Sequence, residues 1–172
     1  MQKAFAQDGT PTSHKSREPA DNPVPHIELD LKGFLGHRLA PNNCGFRRES
    51  VTEFVSDRMV LPDAIYGQDI GKGRKLYIGH MPHSATDVAA VIYDGDGRIS
   101  AVAAMSCEWK KTGPKTLDRI RVFTPDIYVR DDAMKDDNIG GLKPWSALFD
   151  KLNKSEDAEK PPRVHLIPAK GK

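Results

Sequence analysis

The stretch Val88-Ala89-Ala90-Val91-Ile92-Tyr93, Asp94-Gly95-Asp96-Gly97 and Arg98 to Ser106 decides the fold. The first six residues are apolar and rich in β-compatible types. Asp-Gly-Asp-Gly then supplies residues that tolerate the positive φ a tight hairpin demands. After it, Ile99, Ala101, Ala103 and Met105 alternate with Ser100, Val102 and Ala104, which is the period of a strand. Two adjacent antiparallel strands, 88–93 and 98–106, are therefore predicted.

Upstream, Gly71-Lys72-Gly73 reads as a turn, and Lys75 to Gly79 as a strand through Leu76, Tyr77 and Ile78. Ile65 and Tyr66 belong to an extended segment. Before them Ser50 and Glu53 have the spacing of a capping box. Val51, Phe54, Val55 and Met59 follow near helical spacing, and Leu61-Pro62 ends the element, because a residue before proline avoids the helical region. Downstream, Leu117 to Thr124 and Ile127 to Arg130 are predicted as strands separated by Pro125. Asp131 to Asn138 reads as a charged loop. Lys143 to Asn153 is a short amphipathic helix, with Pro144 near its start and Trp145, Leu148, Phe149 and Leu152 on one face. The pattern is α+β, an antiparallel sheet with two helices. No internal repeat is visible.

The flanks differ from this body. Residues 1–26 carry Pro11, Pro19, Pro23 and Pro25 among mostly polar residues and are nearly empty of apolar side chains, so they cannot offset their ordering entropy and read as a flexible leader. Residues 27–153 form the expected single domain. Residues 154–172 read as a flexible tail, in which Val164 to Ile167 is the one apolar stretch able to add an edge strand.

Within the leader, Ala4-Phe5-Ala6 matches the small-x-small site at which a secretory signal is cut. Only Met1, Gln2 and Lys3 precede it, so the basic and apolar parts of a signal are absent or truncated in this chain. The expectation is a periplasmic protein. The alternative is a cytoplasmic one in which these small residues occur by chance.

At 172 residues, 38% hydrophobic and 29% charged, the chain suits one modest core. Mean hydropathy is -0.57, and no run nears the roughly 20 apolar residues of a membrane helix, so membrane insertion is not expected. Lys plus Arg total 26 against 24 Asp plus Glu. Residues 27–153 carry 18 of each sign, so the body is neutral and the excess falls in the tail. No basic stripe marks a nucleic-acid binder, and nucleic acid is not an expected partner.

Few residues carry chemistry. His80 and His83 flank Pro82, a spacing that would need Cys107, Asp87 or His37 to complete a metal site, and no metal or other cofactor is expected. A proline-stiffened turn between strands can instead present a side chain at low entropic cost. Cys44 and Cys107, the only cysteines, admit three readings: one disulfide in an exported protein, buried thiols in a cytosolic one, or a reactive cysteine. Gly71-Lys72-Gly73-Arg74-Lys75 lacks the spacing of a phosphate loop, and Asp94-Gly95-Asp96 lacks the distal glutamate of a calcium loop. Asp126, Asp131, Asp132, Asp136 and Asp137 form an acidic run that reads as solvated, with Asp131, Asp132, Asp136 and Asp137 available to a basic partner. No serine nucleophile elbow and no dinucleotide fingerprint occurs, so no catalytic residue is assigned and an enzyme is not expected.

The order of features carries a resemblance. A short helix ending in Leu61-Pro62, a strand, a loop with Pro82-His83, the Val88–Tyr93 strand, a turn and another strand resemble the Ivy family, periplasmic inhibitors of vertebrate lysozyme. The resemblance spans roughly residues 50–106. It implies a curved antiparallel sheet flanked by helices, and a protruding loop whose histidine, here His83, enters the target's cleft. The loop would comprise His80, Met81, Pro82, His83 and Ser84. His80 and Ala85 stand where that family has cysteines, and Met81 where it has lysine. Vertebrate lysozymes are basic and call for an acidic inhibitor, whereas this body is neutral. The expected partner is therefore a cell-wall hydrolase or toxin, with this chain as its inhibitor or immunity protein. The alternatives are a small metal- or Cys/His-dependent enzyme and a ligand-binding module.

Overall fold

The computed structural model describes residues 26–38, 50–59, 65–80, 88–114, 117–152, 158–159 and 161–169. Residues 1–25 of the leader, Cys44, Leu61-Pro62 and the loop from Met81 to Ser84 lie outside them. The described elements are helices α1 (Ile27–Leu35) and α2 (Val51–Met59), strands β1 (Ile65–Asp69), β2 (Lys75–His80), β3 (Val88–Tyr93), β4 (Ile99–Lys111) and β5 (Arg119–Asp131), helices α3 (Lys135–Gly141) and α4 (Lys143–Leu152), and strands β6 (Ala158–Glu159) and β7 (Arg163–Pro168).

The predicted hairpin forms at the centre. Ala89 pairs with Ala104, Ala90 with Ala103, Val91 with Val102 and Ile92 with Ala101. Tyr93 then pairs with Ile99, so Ser100 is an extra residue, a bulge that turns Ile99 to the same face as Val102. The turn is held by the Asp94 carboxylate, which accepts from the amides of Asp96 and Arg98 at 3.0 and 2.9 Å. Gly97 takes the positive φ there.

The curved, wholly antiparallel sheet is the expectation that fails. The strand order is β1-β2-β3-β4-β5, and β6 and β7 both lie parallel to β5 on its far side. They run end to end, so seven strands make a sheet six strands wide. Its edges do not meet, and it is neither closed nor strongly curled. The reason is the route of the chain: α3 and α4 carry it across the sheet before β7, and a crossover delivers a parallel strand where a short turn delivers an antiparallel one. The stretch from Val164 to Ile167, the part of the tail read as able to add an edge strand, is paired to β5.

Two further corrections concern β5 and the segment after it. Pro125 does not divide the strand. β6 pairs Val122 and Phe123, and β7 starts at Asp126, so Pro125 faces the break between them. A proline is tolerated where a ladder partner is already missing. Asp131 to Asn138 is no loop, because β5 continues to Asp131 and α3 begins at Lys135.

Helices cover both faces. Leu31 and Leu35 of α1, with Val51, Phe54 and Met59 of α2, pack on Tyr77, Val91 and Val102. Leu142 and, from α4, Trp145 and Phe149 pack on Ile78, Ile92, Ala103 and Phe123. The sequence reading does not include α1, although Ile27, Leu31 and Leu35 stand four apart and are all buried. At the start of α2 the capping box is complete. Ser50 Oγ accepts from the Glu53 amide at 3.1 Å, and the Ser50 amide donates to Glu53 Oε2 at 2.8 Å. The helix then lies so close to β2 that a Cβ on Gly79 would fall 2.2 Å from the Arg58 carbonyl oxygen.

Candidate functional site

Of the expected contact loop, His80 is described. It ends β2, half-buried, and pairs with Val88, the first residue of β3. Pairing runs without a break from Lys75↔Tyr93 to His80↔Val88. Gly79 docks on α2, which fixes β2 just before the loop leaves it. Residues 81–87 therefore connect two strand ends whose spacing is set by the sheet. Met81, Pro82, His83 and Ser84 lie outside the described residues.

The acidic residues have different local partners. Asp131 is exposed at the end of β5, opposite Pro168. Asp132 accepts from the Met134 amide at 2.8 Å and closes the turn into α3. Asp136 and Asp137 are in the first turn of α3. Asp137 pairs with Lys72 of the β1–β2 turn, and this ammonium holds its carboxyl below the usual carboxylate range. Asp126 belongs to none of this. It is 1% exposed and sits inside the sheet.

Asp126 is the centre of the polar cluster that sequence reasoning missed. Its carboxylate accepts from Arg163 Nε at 2.9 Å and Arg163 Nη2 at 2.7 Å, a two-pronged contact. His165 Nε2 lies 2.8 Å from Oδ1 and, with the proton on that nitrogen, donates to it. The parallel register creates the cluster directly, because Asp126 pairs with Arg163 and Tyr128 with His165. The Tyr128 and His165 rings stack at 4.6 Å and 13°. Burial, with the Asp126 charge close by, pushes the Tyr128 hydroxyl up to about 12. Ser106 on β4 completes the group, accepting from Arg163 Nη2 at 2.9 Å while donating to the Thr124 carbonyl at 2.9 Å.

This arrangement fastens three strands. The Asp126–His165 pair has the form of a general-base dyad, but the neighbouring hydroxyl, Ser106, is committed to a backbone carbonyl and is not aimed at the ring. The signal was available in part: Arg163 and His165 are two apart, so a strand puts them on one face. Nothing local says that the face meets Asp126.

Cys107 is disulfide-bonded, and Cys44 lies outside the described residues. Among the described residues, no three His, Cys, Asp or Glu side chains are placed to share a metal ion, and no helix is long and apolar enough to cross a membrane. No protein-family model, curated protein or solved structure matches this chain.

Proposed function

We propose that this protein is an exported inhibitor or immunity protein that blocks a cell-wall hydrolase with the Pro82-His83 segment between β2 and β3. The observation that carries the reading is the unbroken pairing up to His80↔Val88. It gives the segment two fixed ends on the central sheet, so that Pro82 limits what remains to be ordered on binding. A disulfide at Cys107 supports an oxidising compartment, where such bonds persist. Glycan hydrolases commonly cleave with two carboxylates in a groove, and a histidine is narrow enough to enter and able to donate to them.

The experiment is a turbidity assay on isolated cell walls with a panel of hydrolases: a vertebrate lysozyme, a bacterial muramidase and a peptidoglycan amidase. One of the panel is expected to be inhibited at stoichiometric protein. His83→Ala should then weaken inhibition by about 2 kcal/mol, roughly 30-fold, with its melting transition unchanged. His80→Ala should cost less. Equal potency of wild type and His83→Ala, or no inhibition of any hydrolase, would overturn the reading.

A further inference from the structure

The β4–β5 hairpin runs well past its neighbours. β3 pairs with β4 only as far as Ala104, and β6 meets β5 at Val122 and Phe123. Beyond them, among the described residues, Trp109↔Arg121, Lys110↔Ile120 and Lys111↔Arg119 continue as a two-stranded ribbon. Its tip is closed by the Thr112 amide, which donates to the Asp118 carbonyl at 3.1 Å. Three of the six large hydrophobic side chains exposed among the described residues are here: Trp109 at 50%, Leu117 at 94% and Ile120 at 37%.

Their placement around the ribbon is informative. Cys107 and Phe123 point to the α4 side, so strand alternation puts Trp109, Lys111, Arg119 and Arg121 on that side too. Lys110 and Ile120 share the opposite side. Leu117 stands at the tip. Apolar groups thus occupy both faces and the end, and each is accompanied by cations. Among the described ribbon residues Lys110, Lys111, Arg119 and Arg121 outnumber Glu108 and Asp118, although residues 27–153 as a whole are neutral.

We propose that this ribbon docks, tip first, on an anionic phospholipid bilayer. A flat protein surface or a nucleic-acid groove covers one face of a two-stranded ribbon and leaves the other face in water. A membrane interface surrounds it. With Leu117 at the hydrocarbon boundary, Ile120 and Trp109 lie about 10 Å higher, in the interfacial layer where tryptophan is favoured. The Lys and Arg side chains lie at the level of anionic headgroups, which attract basic segments. Asp118 opposes this attraction but is outnumbered. Such a contact lies on the membrane and does not span it. It is independent of the inhibitor reading.

The test is sedimentation of the whole protein with phosphatidylcholine vesicles, with and without about one-third phosphatidylglycerol. Binding is expected to the anionic vesicles, to weaken at high salt, and to shift the Trp109 emission to the blue. Leu117→Ser, at a side chain nearly all in solvent, should leave the melting curve unchanged and reduce partitioning about tenfold. Lys111→Glu combined with Arg119→Glu should reduce it to the level of neutral vesicles. Equal binding to neutral and anionic vesicles, or variants that bind as wild type does, would overturn the proposal. So would binding to a mixed-sequence oligonucleotide without binding to vesicles.

Discussion

Gly79 shows how one residue can set the distance between two elements. A methyl group there meets the Arg58 carbonyl at 2.2 Å, and backbone atoms cannot swing aside as a long side chain would. Gly79→Ala should destabilise the fold by about 3 kcal/mol, read from denaturant unfolding; a loss near zero would mean that α2 does not sit on β2 as described. The second residue-scale expectation concerns Tyr128. Its hydroxyl ionises at about 12 in the fold, above the ordinary 10, because it is buried near Asp126. The unfolded chain therefore releases this proton first. The stabilisation is intact below pH 10 and is lost as pH rises from 10 towards 12. Tyr128→Phe should flatten that alkaline decline without abolishing it, since burial raises Tyr93 as well. Thermal melts across pH 9–12 with identical slopes would contradict this.

At the level of elements, the capping box was legible because its partners are three residues apart and the bonds are local. Ser50→Ala should cost about 1 kcal/mol, measured by chemical denaturation, and an unchanged midpoint would show the box idle. The attachment of β7 was not legible in the same way. Asp126 and Arg163 are far apart in the chain, and an acidic residue followed by four more aspartates within twelve positions reads as surface. Arg163→Ala should cost about 2 kcal/mol by leaving a buried carboxylate with fewer donors. Amide exchange from Val164 to Ile167 should rise in that variant. Arg163→Lys should not restore protection, because an ammonium cannot reproduce the two-pronged contact. Wild-type exchange rates in both variants would show that β7 holds without the pair.

For the molecule as a whole, the disulfide at Cys107 adds a covalent tie to the packing of the layers. Reductant should lower unfolding free energy by about 2–4 kcal/mol, and Cys107→Ala should reproduce the effect. A midpoint insensitive to dithiothreitol would exclude that contribution. The sheet has helices on both faces because both faces of β3 are apolar: all six residues from Val88 to Tyr93 are buried. A strand that read as one half of a hairpin is thus also the middle of three layers.

The sequence by itself determined the features whose causes are near neighbours: the 88–106 hairpin through alternation and Asp-Gly turns, α2 through its cap and spacing, and α4 through its apolar stripe. Only the tertiary structure decided the direction of the last strand and the company of Asp126. Whether Val164 to Ile167 pairs, and on which side, depends on where α3 and α4 deliver the chain, and that is set by packing of Trp145 and Phe149 against the sheet. A one-residue change of that register would turn Arg163 and His165 away from Asp126, so the cluster exists only once the layers are assembled.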